Sequence, residues 1–345
     1  MTQTDTTNNA AVQSDTTIME KEAKQAPVVI KNQLASNQSL QQSIGEKLRA
    51  FDPKMVMIIG RGSSDHAGVF GKYLIEIESG VPTFAAAPSV ASVYGKKLKL
   101  KQALVIVISQ SGRSPDIIAQ AEMAKEAGAY CIALVNDETS PLKDIVDDFV
   151  PLKAEAEISV AATKSYLATL SALLQLTAYW TENQELISAL DTLPEVLERT
   201  IAGEAQLTPS SLDGVKNMVV LGRGLGYAVT KEMALKLKEV SSIHAESFSS
   251  AEFLHGPVTL VEQGLAILNT EVNDESASSH LGQIAEMNKR GADLVHLRQI
   301  DENIHPRIAP LAVLQRFYLD VAKVAVARGF NPDEPKGLKK VTKTV

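Results

Sequence analysis

Met57-Ile58-Ile59-Gly60-Arg61-Gly62 returns along the chain as Val219-Val220-Leu221-Gly222-Arg223-Gly224, and Ala121-Glu122-Met123-Ala124-Lys125 returns as Ala285-Glu286-Met287-Asn288-Lys289. The offsets nearly agree, at 219 − 57 = 162 and 285 − 121 = 164. Self-similarity at a fixed spacing means that one supersecondary unit is used twice. The 345 residues therefore divide into two copies of one unit, each large enough for its own core. Within each copy, short β-branched runs alternate with longer helical patterns, which is the signature of parallel strands joined by crossover helices. The fold class is α/β. The stretch from Thr181 to Ser211, with Pro194 and Pro209 around helical segments, is expected to join the copies.

The first copy carries a junction suited to an anion. Leu104 to Ile108 reads as a buried strand, and the apolar run stops at Ser109-Gln110-Ser111-Gly112. Ser114 then serves as N-cap and Pro115 as the first helical residue, so unpaired backbone N–H groups and the positive helix end converge on the serine loop. A phosphate group fits such a place. An ordinary strand-to-helix turn uses the same residue types, so the segment alone leaves both readings open. In the second copy the matching strand, Leu265 to Thr270, runs into Glu271 and Asp274, whose charges would repel an anion. One phosphate site is expected per chain, in the first copy, with the second copy supplying chemistry.

The Gly-Arg-Gly turns do not complete a dinucleotide fingerprint, because Asp65 and Tyr227 stand where G-x-G-x-x-G needs its third glycine. The next strand, Val81 to Phe84, ends in three alanines with no acid for a ribose. The glycines instead let the backbone approach a sugar phosphate, with Ser63 and Ser64 reaching it by hydrogen bonds. The six histidines are scattered and none has a partner at metal-ligand spacing. No cofactor and no metal are expected.

Charge and composition narrow the class further. A net charge of -7 without a basic stripe argues against nucleic acid as a partner. No apolar run is long enough to span a bilayer. Met1 to Thr17 is rich in Thr, Asn and Gln and lacks the layout of a signal peptide, so it reads as a disordered tail on a cytoplasmic protein. The single cysteine, Cys131, sits within an apolar run and reads as a small buried hydrophobe.

A second chemical cluster runs from Ala234 to Glu246 and on to Pro257. Lys236 and Glu239 are three apart on a helix and share a face, so the lysine can favour the ionised carboxylate and hold a substrate heteroatom. Such a pair alone is ordinarily a solvated surface contact. A short strand over Ile243 to Glu246 follows, and a loop then delivers His255 before Gly256-Pro257. A histidine there is more often structural, yet it titrates where proton transfer needs it.

These residues carry a resemblance. The chain resembles the tandem sugar-isomerase (SIS) family, and within it the isomerase half of glutamine–fructose-6-phosphate amidotransferase. The matching pieces are Gly62-Ser63-Ser64, Ser109 to Gly112, Glu157 to Lys164, Leu235 to Glu246, Glu252 to Pro257 and Asp333 to Lys340. The resemblance implies two SIS domains, each a doubly wound parallel sheet flanked by helices in a flavodoxin-like sandwich. It divides the chain into a tail over 1–17, a helical segment over 18–50, a first domain over 51–200, a second over 201–330 and a closing tail over 331–345. Ser64, Ser109, Gln110, Ser111 and Ser114 are implied to hold the substrate phosphate. Glu239 is implied as the acid/base between C1 and C2, with Lys236 beside it. His255 would open the sugar ring, reaching across a homodimer interface. Glu157 and Val160 would line the sugar site, and the tail would bring Lys340 near the carbonyl, with Lys339 as the alternative. Ala162 replaces a commoner serine.

The amidotransferase draws ammonia from glutamine with a terminal cysteine nucleophile, which this sequence does not carry. The expected reaction is therefore glucosamine-6-phosphate deamination, giving fructose 6-phosphate and ammonia from a small hexosamine phosphate. Two other enzymes share the motifs: a fructosamine-6-phosphate deglycase, and a galactosamine- or tagatose-phosphate deaminase/isomerase. A non-catalytic phosphosugar sensor is the reading from another class.

Overall fold

The computed structural model describes residues 16–340. All but the last two residues of the expected N-terminal tail, and the five residues after Lys340, lie outside that range. Two helices, α1 (Ile18–Lys24) and α2 (Ala26–Phe51), precede the first lobe. That lobe comprises β1 (Met55–Ile59), α3 (Ser63–Ser79), β2 (Thr83–Ala85), α4 (Pro88–Ser92), β3 (Ala103–Ser109), α5 (Pro115–Glu126), β4 (Tyr130–Val135) and β5 (Asp148–Pro151). Two long helices follow, α6 (Lys164–Thr181) and α7 (Gln184–Ala202). The second lobe comprises β6 (Asn217–Gly222), α8 (Gly224–Ser241), β7 (His244–Ser249), α9 (Ser250–Phe253), β8 (Ala266–Glu271), α10 (Ala277–Lys289), β9 (Asp293–Arg298) and α11 (Ala309–Ala327).

Both sheets are parallel throughout, ordered β2-β1-β3-β4-β5 and β7-β6-β8-β9. Each copy starts mid-sheet and winds outward in both directions, so strand order reverses between β1 and β3 and between β6 and β8. In doubly wound sheets the crevice at the carboxyl ends of such strands is where ligands bind. All seven residues of β3 are buried, as a central parallel strand requires. The strand read at Ile243 to Glu246 starts one residue later and runs on to Ser249.

The repeated glycines have a packing cause. A Cβ on Gly60 would stand 2.7 Å from the backbone of Ser64, and one on Gly222 would stand 2.7 Å from the backbone of Gly226. In each copy the strand end abuts the first turn of the helix that follows, and only glycine permits that approach. This corrects the sequence reading for Gly60, which serves strand–helix packing. Gly62, with φ at +55°, is the one that borders the ligand crevice.

One continuous apolar cluster runs through both lobes. Helices α6 and α11 are buried on nearly every side. Helix α7 continues through Pro194 at the cost of one backbone hydrogen bond. The lobes are also joined by Arg307, whose guanidinium donates to Glu78 on α3 at 2.6 Å and to Glu275 of the second lobe at 2.8 Å. No helix among the described residues is long and apolar enough to cross a membrane.

Candidate active site

The carboxyl ends of β1 and β3 open into a cavity of about 270 Å³, walled by the N-termini of α3 and α5, the C-terminal part of α8 and the C-terminal tail. Its first end is the serine loop. Helix α5 begins at Pro115 with Ser114 as N-cap, as the sequence predicts, and the Ser114 side chain makes no capping bond to the helix. That leaves its hydroxyl free for a ligand. Ser109 Oγ accepts the Gly112 N–H at 2.9 Å, and Ser140 Oγ donates to the Gly112 carbonyl at 2.9 Å. Gly112 has φ at +61°, and a Cβ there would lie 2.1 Å from Ser140 Oγ. The loop is thus held from both sides with Ser109, Gln110 and Ser111 facing the cavity, alongside Ser63 and Ser64 at the start of α3. Arg61 adds a half-exposed guanidinium, held by the buried Asp116 carboxylate at 2.8 Å.

At the other end α8 presents Lys236 and Glu239. Lys236 is only 1% exposed and is far from the solvated contact that isolated Lys/Glu pairs make. Its ammonium lies 2.6 Å from Glu239 Oε2, 3.0 Å from Glu232 Oε1 and 3.3 Å from Ser63 Oγ. Burial alone would pull the lysine's pKa down, but the two carboxylates outweigh it and hold it above the ordinary lysine value. Glu232 is fully buried, and burial would raise its pKa; the Lys236 charge and the His66 hydrogen bond bring it below the ordinary glutamate value instead. The pair is ionised, and Glu239, with a 20% exposed side chain, turns to the cavity.

Glu232 and His66 escaped the sequence reading. Glu232 Oε1 accepts from Ser63 Oγ at 3.0 Å, and its Oε2 lies 3.1 Å from His66 Nδ1. The one available signal was the spacing 232, 236, 239, which forms a single stripe on a helix.

The tail forms a third wall. Lys340 donates to Glu157 Oε2 at 2.9 Å and to the Ser159 carbonyl at 2.8 Å, so Lys340, rather than Lys339, has its ammonium anchored. Glu157 does not line the cavity, which corrects that expectation. Its carboxylate is wholly buried behind the wall, taken up by Lys340, by Ser165 Oγ at 2.6 Å and by the Thr163 N–H at 2.9 Å. Burial favours its neutral form, but Lys340 and these hydrogen bonds keep its pKa lowered. Val160, whose N–H donates to the Asp333 carbonyl at 3.0 Å, and Ala162 do line the cavity.

His255 does not join this assembly. It is exposed on the turn after α9 and lies outside the cavity wall of its own chain. In the second lobe β8 ends at Glu271, whose Oε1 lies 2.9 Å from His296 Nδ1, so the counterpart of the serine loop is acidic. Among the described residues no three of His, Cys, Asp and Glu gather as metal ligands. The Cys131 thiol is buried in β4 and pushed up to about 12 by that burial.

The SIS domain model matches residues 51–179 and 211–304. The isomerizing glutamine–fructose-6-phosphate aminotransferase of Aquifex aeolicus strain VF5 is 32% identical over 345 residues, covering 93% of this chain and 57% of that protein. Its counterpart from Pyrococcus horikoshii is 29% identical over 341 residues, with the same coverage of 93% and 57%. The chain thus spans little more than half the length of these curated relatives. Among solved structures, a Silicibacter pomeroyi DSS-3 protein assigned as a phosphosugar isomerase superposes with a TM-score of 0.86 at 35% identity, covering 92% of this chain and all of that one. The C-terminal domain of the Francisella tularensis glucosamine-fructose-6-phosphate aminotransferase superposes with a TM-score of 0.78 at 25% identity, covering 94% and 100%.

Proposed function

The chain belongs to the SIS domain family, and from that premise we propose that it is a phosphosugar isomerase that deaminates glucosamine 6-phosphate to fructose 6-phosphate and ammonia. The observation that carries this reading is the layout of one cavity: hydroxyls at a helix N-terminus at one end, and a lysine-held carboxylate at the other. The first end suits a phosphate. With the phosphate in the loop of Ser109, Gln110, Ser111 and Ser114, aided by Ser64, the far end of an open-chain hexose reaches Glu239.

Glu239 then takes the C2 proton of the aldosamine to give an enolamine and returns a proton at C1, which leaves an imine at C2. Water adds to that imine, and ammonia departs as the ketone forms. Lys236 fixes the carboxylate and offers positive charge to the oxygen at C1 as it gains electron density. Lys340 seals the wall beside the carbonyl carbon. Ring opening falls to His255, contributed by the second chain of a homodimer, since it stands outside its own cavity. Isomerizing activity in the curated relatives' names supports C1/C2 proton transfer.

The test is a panel of amino-sugar phosphates in deuterated water, followed for ketose phosphate, ammonia and solvent deuterium in product. Glucosamine 6-phosphate should yield all three, and Glu239→Gln should lower turnover by roughly 10²–10⁴-fold, the usual worth of a positioned acid/base. Ammonia release without deuterium, or unchanged turnover in the variant, would exclude the mechanism. Release of an amino acid from a phosphorylated fructosamine, with none of ammonia from the aldosamine, would make it a deglycase.

A further inference from the structure

Helix α1 is seven residues long, too short to persist in water unless something holds it. The tail takes its N-terminus: the Asp333 carboxylate accepts the Ile18 and Met19 N–H groups at 2.9 and 2.8 Å. Met19 and Ala23 are fully buried, and Gln315 of α11 donates to the Ala23 carbonyl at 3.0 Å. Glu22, only 4% exposed, gives its carboxylate to the segment that precedes α6. It accepts the Ile158 N–H at 2.5 Å, the Ser159 N–H at 3.1 Å and the Ser159 hydroxyl. Just past the helix, Gln25 Oε1 accepts from the buried Lys164 ammonium at 2.8 Å. The segment from Ile158 to Lys164 is thus gripped at both ends from α1.

What lies between those grips is a wall of the sugar cavity, through Val160 and Ala162. The Val160 N–H donates to the carbonyl of Asp333, the residue that caps α1. Ser159, held through its N–H by Glu22, accepts the Lys340 ammonium through its carbonyl at 2.8 Å. The contacts close a ring from α1 to the cavity wall, on to the tail and back to α1. Hydrogen bonds to an ionised acceptor are roughly twice as strong as neutral ones, which makes Glu22 a strong link of that ring. The serine loop is held separately, by Ser109 and Ser140 on the Gly112 backbone.

We propose, on the phosphosugar reading of the cavity, that Glu22 is a positioning residue of the site: through Ser159 it sets where Val160 and the Lys340 ammonium stand against the carbon chain of the substrate. Capture of the phosphate group itself does not depend on it.

The test is calorimetric binding of two unreactive probes, glucitol 6-phosphate and inorganic phosphate, to the whole chain. Glu22→Gln keeps the size of the side chain and removes its charge. It should raise Kd for the ester about tenfold, the scale of one hydrogen bond to a charged group, and leave Kd for inorganic phosphate within about twofold. Lys340→Met should give the same split, and the two changes together should add no more than about threefold to the larger effect, because both act through one wall. An unchanged Kd for the ester in Glu22→Gln would overturn the proposal. So would an equal loss for both probes, the mark of a merely structural role, or full additivity with Lys340→Met. Should Glu22→Gln fail to fold, Ser159→Ala removes the hydroxyl bond alone; a rise of about threefold for the ester supports the proposal, and no rise overturns it. These shifts are read without turnover, so absence of ammonia release from glucosamine 6-phosphate would defeat the deamination reading and leave the role of Glu22 to be decided by binding.

Discussion

Replacing Lys236 with methionine removes a lysine charge that faces two carboxylates across about 3 Å and is itself only 1% exposed. Glu232, with a fully buried side chain, would keep only Ser63 Oγ and His66 as partners. Breaking a buried ion pair from one side costs about 3–5 kcal/mol, because the surviving charge is stranded. The pH dependence gives the cause away. In the wild type the Glu232 pKa is lowered, so the pair's contribution is complete above the ordinary glutamate value and is lost as pH falls through the lower folded value. In the variant, burial acts without the lysine and raises that pKa, so the penalty is full at neutral pH and shrinks on acidification, when the carboxyl takes up a proton. Urea unfolding of both proteins between pH 5 and 8 measures this. Lys236→Met should lose about 3–5 kcal/mol near pH 7 and less at pH 5. Adding Glu232→Gln should restore most of it. A loss below about 1 kcal/mol, the scale of a solvated pair, or no recovery in the double variant, would mean that Lys236 and Glu232 are not the ionised buried pair described here.

Three further outcomes follow from the same geometry. Gly112→Ala puts a Cβ 2.1 Å from Ser140 Oγ at a positive φ, so it should raise KM for the phosphosugar about tenfold or more with a smaller effect on kcat; an unchanged KM would remove the loop from phosphate binding. The lowered Glu157 pKa means that its pairing with Lys340 stabilises the tail above the ordinary glutamate value and fades as pH falls below it. Lys340→Met should therefore weaken hydrogen-exchange protection of the 157–163 loop at pH 7 by about 1–2 kcal/mol, a figure discounted because Lys340 is a quarter exposed, and by less at pH 4. Mixing His255→Ala chains with Glu239→Gln chains should recover about a quarter of wild-type activity if each site of a two-fold dimer draws on both chains, and kinetics after subunit exchange would read it; no recovery despite exchange would count against a site shared between the chains.

How much of this was legible in the sequence depended on whether the cause was local. The β3–α5 junction was readable because strand, loop, cap and proline are contiguous and each obeys short-range rules. The second lobe followed from the repeat, and its acidic contrast from Glu271. Lys236 and Glu239 were found from helical spacing, but their burial was not, because it comes from α3 of the other lobe packing on α8. For the same reason Glu232 stayed hidden: its partners Ser63 and His66 lie far away in sequence and across the lobe boundary. Glu157 was misjudged as a cavity wall because sequence gives its neighbourhood and not the side to which its carboxylate turns.

A crystal structure with an open-chain amino-hexitol 6-phosphate bound would show where each end of the substrate sits. The phosphate should lie among Ser64, Ser109, Ser111 and Ser114, and C2 within about 3.5 Å of a Glu239 carboxylate oxygen, the distance of a near-attack geometry. A phosphate seated elsewhere, such as against Arg298 in the second lobe, or a C2 carbon beyond reach of Glu239, would contradict the proposed mechanism.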